Sequence, residues 1–379
     1  MTAPPRAEAR VDLGAVAANV RVLREKARGA ALMAVVKADG YGHGMLPVAR
    51  AALAGGASWL GTAVVEEALA LRAAGITVPI LTWLAAPGEA WQAAVDADID
   101  VSAGSPGLVA EVAVAAERAG RPARLHLEAD SGMSRGGATP ADWPALVAAA
   151  RRAEAAGRVR VIGVWSHLAC ADEPEHPANA AQEARFAEMV AFARKLGLRP
   201  EVRHLANSAG LLCLPDSRLD LVRAGIAVYG LSPAPGVGGP GEFGLRPAMT
   251  LRARLALVKR VPAGVGVSYG HTWTTDRETT LGLIPLGYGD GIPRHASATG
   301  PVLAAGARRH VAGRMCMDQF VVDLGDDVAA EGDEVVLFGP GDDGEPTAQD
   351  WADAAGTITY EVVTRLGARV SRSYVGQPA

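Results

Sequence analysis

An α/β chain built as an N-terminal (β/α)8 TIM-like barrel, followed by a smaller and mostly β C-terminal domain, is the fold class this sequence predicts. Three observations lead there. From residue 31 to about 223, eight short apolar runs alternate with helical stretches rich in Ala, Leu, Glu and Arg. Several of those stretches stop at a glycine (Gly75, Gly120, Gly157, Gly197), a common C-terminal signal. A Pro- and Gly-rich segment, Leu231–Gly244, then ends the alternation, and short β-like runs with turns follow it. A doubly wound sheet needs fewer strands and a phosphate loop near the first one, and no convincing loop of that kind is present.

Taken in order, Val11–Lys26 is an apolar-periodic segment that reads as a helix able to pack on either domain. The expected barrel strands are Ala31–Val36, Trp59–Thr62, Pro79–Trp83, Ile99–Val101, Arg124–Glu128, Arg160–Trp165, Val202–Leu205 and Leu219–Arg223. They are apolar runs of the kind a parallel sheet buries on both faces. Helices are expected over Val64–Ala74, Pro106–Ala119, Asp142–Ala156 and Ala180–Leu196. The β-like runs beyond the linker are Leu251–Val261, Thr280–Pro285, Phe320–Leu324 and Glu334–Phe338, with a helix over Gln349–Ala355. The domains are therefore expected at residues 1–240 and 241–379.

Composition narrows the function. With 379 residues, 49% apolar and 21% charged, the chain has ordinary globular chemistry, and its net charge of −4 with no basic run argues against nucleic acid. The three cysteines are scattered, form neither a disulfide framework nor a zinc pattern, and fit a reducing cytosol. No membrane span and no signal peptide are expected, because the N-terminus lacks an apolar core segment and the uncharged stretch Ala51–Val65 is short and glycine-bearing. No metal spacing occurs among the eight histidines. Gly339–Gly344 fits a dinucleotide-loop pattern by its letters alone and reads as a surface turn, because two aspartates stand where a phosphate would lie.

In a barrel the catalytic face is at the C-terminal ends of the strands. The polar residues there are Lys37, Tyr41, Trp83, Glu128, Asp130, Arg135, His167, Asn207, Ser208 and Arg223. Lys37 ends an apolar run and opens Lys37-Ala-Asp-Gly-Tyr-Gly-His-Gly44. Desolvation lowers a lysine pKa, and a neutral amine attacks a carbonyl, which suits a Schiff-base lysine. A strand-end lysine reaching to solvent is the plainer alternative. His204–Gly210 and Arg223–Gly230 are small-residue loops whose amides, with the hydroxyls of Ser208 and Tyr360, suit one phosphate. On their own, Arg223 also reads as a rim ion pair, His167 as a core histidine and Tyr269 as a turn aromatic.

The stretch Val36–Gly44 resembles the pyridoxal-phosphate lysine motif of the alanine racemase family nearly letter for letter. So do Asp130–Gly137, Gly163–Ala169, His204–Gly210, Arg223–Gly230, Val267–His271, Gly287–Arg294 and Gly313–Gln319, which span almost the whole chain. The resemblance implies a fold-type III enzyme that uses pyridoxal 5'-phosphate to interconvert L-alanine and D-alanine. It implies that Lys37 and Tyr269 of the partner subunit are the two bases. Tyr41, His167, Asn207, Ser208, Arg223, Gly225, Ile226 and Tyr360 would surround the cofactor. Arg135, Met317, Asp318 and Tyr288 would meet the substrate or its access channel. An obligate homodimer with composite sites follows, in the cytoplasm, supplying D-alanine for peptidoglycan. Racemisation of serine or other small amino acids, and a non-catalytic cofactor-binding protein, are the alternatives. The sequence departs from the family at Glu128, where many members carry a lysine, often carbamylated; a glutamate there would supply negative charge directly.

Overall fold

The structure, a computed structural model, describes residues 5–376. Residues 1–4, on which part of the reading of the N-terminus rests, lie outside the described residues. The chain forms two compact units. One comprises Val16–Gly40 and Val48–Leu245; the other comprises the chain up to Ala15, the short stretch Tyr41–Pro47, and everything from Arg246 on.

The first strand of the chain, β1 (Ala7–Asp12), belongs to the second of these units. The first unit is the barrel. Its strands are β2 (Ala31–Val35), β3 (Trp59–Thr62), β4 (Ile80–Thr82), β5 (Asp100–Ala103), β6 (Ala123–Glu128), β7 (Val159–Trp165), β8 (Val202–His204) and β9 (Leu221–Ala224). Each expected apolar run falls on one of them. All pair in parallel, in the order β8-β7-β6-β5-β4-β3-β2-β9. The two end strands meet through Asp220 N–H to Arg203 O (3.1 Å) and Arg223 N–H to Ala206 O (3.0 Å), which nearly closes the ring. Side chains from several strands fill it: Met33 of β2, Leu81 of β4 and Leu221 of β9 form one buried cluster.

The helices between the strands pack outside. The helix Pro106–Ala119 shows how the sequence sets them. Ser105 caps it by accepting Leu108 N–H, Pro106 opens it, and a buried stripe of Val109, Val112, Ala113 and Ala116 faces the sheet. The helices Met45–Ala54 and Trp91–Asp96 were not among those expected, being short and alanine-rich.

The second unit is mostly β. Its strands after β1 are β10 (Met249–Arg254), β11 (Leu257–Val261), β12 (Gly266–Val267), β13 (Trp273–Thr274), β14 (Thr279–Ile284), β15 (Pro301–Ala304), β16 (Ala307–His310), β17 (Phe320–Gly325), β18 (Glu334–Phe338) and β19 (Ser371–Val375). Six of them form a sheet in the order β16-β15-β18-β10-β1-β19, and β11-β14-β17 form another. Two expectations change here. The run Leu251–Val261 is two strands in two sheets, because Leu255 N–H turns to Asp333 O and Ala256 N–H to Leu283 O. The helix expected from Val11 begins at Leu13; Val11 and Asp12 end β1, and the Asp12 carboxylate accepts Ala15 N–H at 3.0 Å. In β1 the alternation is carried by Ala7, Ala9 and Val11, a weak period-2 signal. The Gly339–Gly344 turn cannot seat a phosphate: Gly341 and Asp343 N–H already bind the Glu345 carboxylate at 2.7 and 2.9 Å.

Candidate active site

At the C-terminal ends of the barrel strands, the apolar strand β2 delivers Lys37 half-buried, its Nζ 5.7 Å from the centroid of the Trp83 ring. Burial and the Arg135 charge hold its pKa below the ordinary lysine value, against Glu67, which raises it. The chain then does something unusual. Ala38 (φ 52°), Asp39 (φ 52°), Gly40 (φ 61°), Tyr41 (φ 51°) and Gly42 (φ 78°) are all left-handed. Each non-glycine residue in that conformation costs roughly 1–2 kcal/mol. The segment is held by Gly40 N–H to Val36 O (2.9 Å) and by Ala38 N–H to the Glu67 carboxylate (2.7 Å). The three glycines of the motif permit a tight turn; a one-turn reversal of helical hand that includes Ala38 and Asp39 was not legible.

Arg223 lies within β9, opposite Met33, and is buried inside the barrel rather than just beyond the strand end. Its Nη2 donates to Ser166 O (2.7 Å), Leu205 O (3.0 Å) and His167 Nδ1 (3.2 Å), and its Nη1 to His204 Nδ1 (3.0 Å). Its guanidinium stands 4.8 Å from the centroid of the Trp165 ring. Burial lowers its pKa to about 9, with Glu128 opposing, so it stays protonated at neutral pH. No bond among the described residues uses its Nε–H.

The His204 bond continues across the barrel. His204 Nε2 meets His126 Nδ1 at 2.9 Å, and His126 Nε2 meets Asp100 Oδ2 at 3.0 Å, all three side chains fully buried. Arginine only donates, so His204 Nδ1 must accept. His204 therefore carries its proton on Nε2, His126 accepts it on Nδ1, and His126 Nε2–H donates to the Asp100 carboxylate. Gly163 makes room for this, since a Cβ there would lie 2.2 Å from His126 Nδ1. Burial pushes the Asp100 carboxyl up, but bonds and charge from His126 and Arg124 outweigh it and hold it below the usual range. Its stabilisation is present above the unfolded carboxylate pKa and is lost as pH falls through the folded one. Asp100→Asn is expected to lower the unfolding free energy at pH 7 by about 3 kcal/mol. Urea titration of both proteins tests this; equal midpoints and slopes would show that the array carries no stability.

The Arg135 loop is anchored to the end of β6. Ala138 N–H bonds Glu128 O (2.9 Å), Asp130 N–H bonds Ala138 O (2.8 Å), and the Asp130 carboxylate accepts Gly132 and Ser134 N–H at 2.9 and 3.0 Å. Glu128 packs under Gly136 and Gly137. Burial raises its carboxyl to about 7, against the pull of Arg223 and Arg135. Its negative charge is thus complete only above neutral pH, and no ion pair among the described residues joins it to Arg135, whereas the sequence led us to expect a standing anion. The displacement from 4.5 to about 7 corresponds to roughly 3 kcal/mol. The ionised form is the disfavoured one in the folded state, so this contribution falls as pH rises through that window. Glu128→Gln is expected to remove it, so that the variant gains on the wild type by up to about that amount between pH 4 and pH 8 in denaturant unfolding. A constant difference across pH would be inconsistent with it. His167, pushed down to about 3 by burial, Arg223, Arg135 and Lys37, is neutral.

Asn207 and Ser208 open the short helix Ser208–Cys213. Asn207 Oδ1 accepts Gly210 N–H (2.9 Å), and Ser208 Oγ accepts the N–H groups of Gly225 (2.8 Å) and Ala227 (3.4 Å). The two small-residue loops are thereby joined, with Ile226 fully buried between the two amides that Ser208 holds. First-turn amides have no carbonyl four residues back within their helix.

The remaining expected residues lie in the β unit. Tyr41 is buried with its ring centroid 6.2 Å from that of Tyr360, and burial, with Tyr360 adding to it, pushes its hydroxyl pKa up. A second group is joined by its backbone. Ser268, at φ 62°, donates to Arg314 O and lies 3.4 Å from Cys316 Sγ. Tyr288 N–H bonds Cys316 O (3.1 Å), and Gly289 N–H bonds Met317 O (2.8 Å). Tyr269, Tyr288 and Met317 are exposed, Tyr269 at 71%. The Asp318 carboxylate pairs with Arg369 at 2.7 Å, which in turn holds buried Asp290. Sequence reading missed Glu67, Asp100, His126 and His204 as parts of the site. For the last three the available signal was a polar residue at a barrel-facing position of a buried strand.

Comparison with known proteins agrees along the chain. Residues 11–233 match the alanine racemase N-terminal domain model, and residues 248–374 match the alanine racemase C-terminal domain model. The chain is 63% identical over 377 residues to an alanine racemase of Streptomyces coelicolor, covering 98% of this chain and 96% of that one. It superposes with a TM-score of 0.98 on the crystal structure of alanine racemase from D-cycloserine-producing Streptomyces lavendulae, at 59% identity and covering 99% and 98% of the two chains. With the Bacillus anthracis enzyme solved with bound L-Ala-P the TM-score is 0.90, at 33% identity, covering 100% and 97%. A barrel whose strand ends carry Lys37 and Arg223, followed by a matching β domain, places this chain in the alanine racemase family, a family of isomerases.

Proposed function

We propose that this protein is a pyridoxal-phosphate-dependent racemase that interconverts L-alanine and D-alanine. The observation that carries the reading is a desolvated lysine and a buried arginine with an unused donor on adjacent barrel strands, β2 and β9. The donor set suits the cofactor. Lys37 offers the amine, Arg223 Nε–H a donor for a ring nitrogen, and the amides of Ser208 and Ile226, which make no bond among the described residues, a backbone cradle for a phosphate. Asn207, Ile226, His167, Tyr41 and Tyr360 complete the set by resemblance to the family. When bound, the cofactor supplies an aldehyde carbon for an amine and a ring that takes up the electron pair left by a departing Cα proton.

The residues divide the remaining work. Arg223 cannot give up its proton at neutral pH, so it donates to the ring nitrogen without protonating it, and the ring is a weaker electron sink. Tyr269 of the partner subunit takes the Cα proton of L-alanine, and Lys37 delivers one from the opposite face; for D-alanine the roles reverse. Arg135 helps orient that tyrosine by resemblance to the family, and Met317, Asp318 and Tyr288 bound the substrate. With Lys37 in the barrel of one chain and Tyr269 in the β unit of a second, the working unit is a homodimer. The free cysteines suit a reducing cytoplasm, where the product would serve peptidoglycan synthesis.

The test is D-alanine formation from L-alanine by the purified protein with pyridoxal phosphate, followed with a D-amino-acid oxidase. Turnover of alanine supports the reading. Turnover of L-serine alone overturns the substrate and keeps the chemistry, and cofactor binding without any turnover overturns both.

A further inference from the structure

Glu67 lies in the first turn of the helix Val65–Ala73 and is half-buried. Both of its oxygens are engaged by backbone amides. Oε1 accepts Ala38 N–H at 2.7 Å; Oε2 accepts Ala63 N–H at 2.9 Å and Val64 N–H at 3.4 Å. Ala63 O then accepts Leu84 N–H (2.7 Å), Trp83 N–H (3.3 Å) and the Thr82 hydroxyl (3.0 Å). One carboxylate therefore gathers the C-terminal ends of β2, β3 and β4, including Trp83, whose ring faces the Lys37 amine. Ala38 N–H is the first amide after Lys37 and the first of the left-handed residues. A backbone held in a sparsely populated conformation persists only where its surroundings over-determine it, and a charge-assisted bond is the strongest available tie. The charged and titratable groups that face Lys37 within the barrel are Arg135, His167 and Glu67, and Glu67 is the anion among them.

We propose that Glu67 is a positioning residue for Lys37: its carboxylate fixes the left-handed backbone that follows the lysine and sets a negative charge against the amine. The proposal rests on the reading of Lys37 as the reacting amine. Its two parts separate by substitution. In Glu67→Gln an amide oxygen still accepts Ala38 N–H but the charge is gone; in Glu67→Ala both are lost.

The chain has four lysines, Lys26, Lys37, Lys195 and Lys259, so each is resolved as its own peptide. The full-length protein, before pyridoxal phosphate is added, is treated with an amine-selective acylating reagent across pH, and labelling is read by peptide mass spectrometry. Both variants are expected to shift the Lys37 midpoint down by about one pH unit while the other three lysines hold theirs. After loading with cofactor, Glu67→Ala is expected to lose on the order of 10- to 100-fold in kcat with KM within about twofold, and Glu67→Gln less. An unchanged Lys37 midpoint in Glu67→Gln overturns the electrostatic part, and equal kcat in wild type and Glu67→Ala overturns the positioning part. Should Glu67→Ala not fold, Glu67→Gln still decides the first, and the kcat of Glu67→Leu, which keeps the bulk of the side chain without an acceptor for Ala38 N–H, decides the second. If the wild-type protein never racemises any amino acid, yet the variants show the midpoint shift, the proposed function is contradicted and this inference stands.

Discussion

Lys37→Ala is expected to lower alanine racemisation by at least about 10⁴-fold, the upper end of what one positioned acid–base group contributes. The same side chain is read both as the amine that anchors the cofactor and as the base on one face of Cα, so no other group can replace either role. The loss is not expected to come from unfolding. The Lys37 pKa is lowered chiefly by burial, which means the ammonium is disfavoured in the folded state; removing it leaves stability below the lysine pKa equal or slightly raised. A melting temperature at or above that of the wild type, with activity at the detection limit, is the expected pair of results. A variant that keeps a tenth of the activity would place the essential amine elsewhere.

Tyr269→Phe is expected to lower racemisation by about 10²- to 10⁴-fold while leaving one half-reaction alive. Lys37 still exchanges the Cα proton of D-alanine with solvent, so D-alanine in deuterium oxide takes up deuterium without inversion; L-alanine does not. Phenylalanine preserves the ring, and Tyr269 is 71% exposed in the single chain, so the substitution removes a hydroxyl and no packing. The same variant tests the composite site. Mixing Lys37→Ala and Tyr269→Phe chains under conditions that exchange subunits gives hybrids with one intact site, and activity is expected to return to about a quarter of the wild-type value. No recovery on mixing would mean that both bases act within one chain.

The architecture was legible where the chemistry of the chain is repetitive. Eight apolar runs between glycine-ended helices specify the barrel because a parallel strand buried on both faces has few alternatives. The strand β1 was not legible because alanines carry its alternation, and β19 because a half-exposed Ser371–Val375 pairs in parallel with a segment more than 350 residues earlier. Neither is a local signal. The site split in the same way. Lys37, Arg135, His167, Ser208 and Arg223 stood out because polar groups at strand ends interrupt apolar runs. The Asp100–His126–His204 array did not, because each member sits in a different strand among other polar residues and only barrel closure aligns them. Glu67 looked like an ordinary first-turn helix acid, a placement with its own sufficient explanation. Its bond to Ala38 depends on a left-handed backbone that three glycines permit and do not dictate. The sequence also suggested a standing charge at Glu128, and burial is the reason that charge waits until neutral pH.

The central claim is that two bases work on opposite faces of Cα, and one isotope experiment addresses it. Purified protein loaded with pyridoxal phosphate is given L-alanine in deuterium oxide, and the first few per cent of D-alanine formed is isolated by chiral chromatography and its mass measured. The account predicts that nearly every D-alanine molecule carries deuterium at Cα, because the proton taken by Tyr269 is not the one Lys37 returns. D-alanine that largely retains the original protium would mean that one group carries the proton between faces, and the two-base account would be wrong.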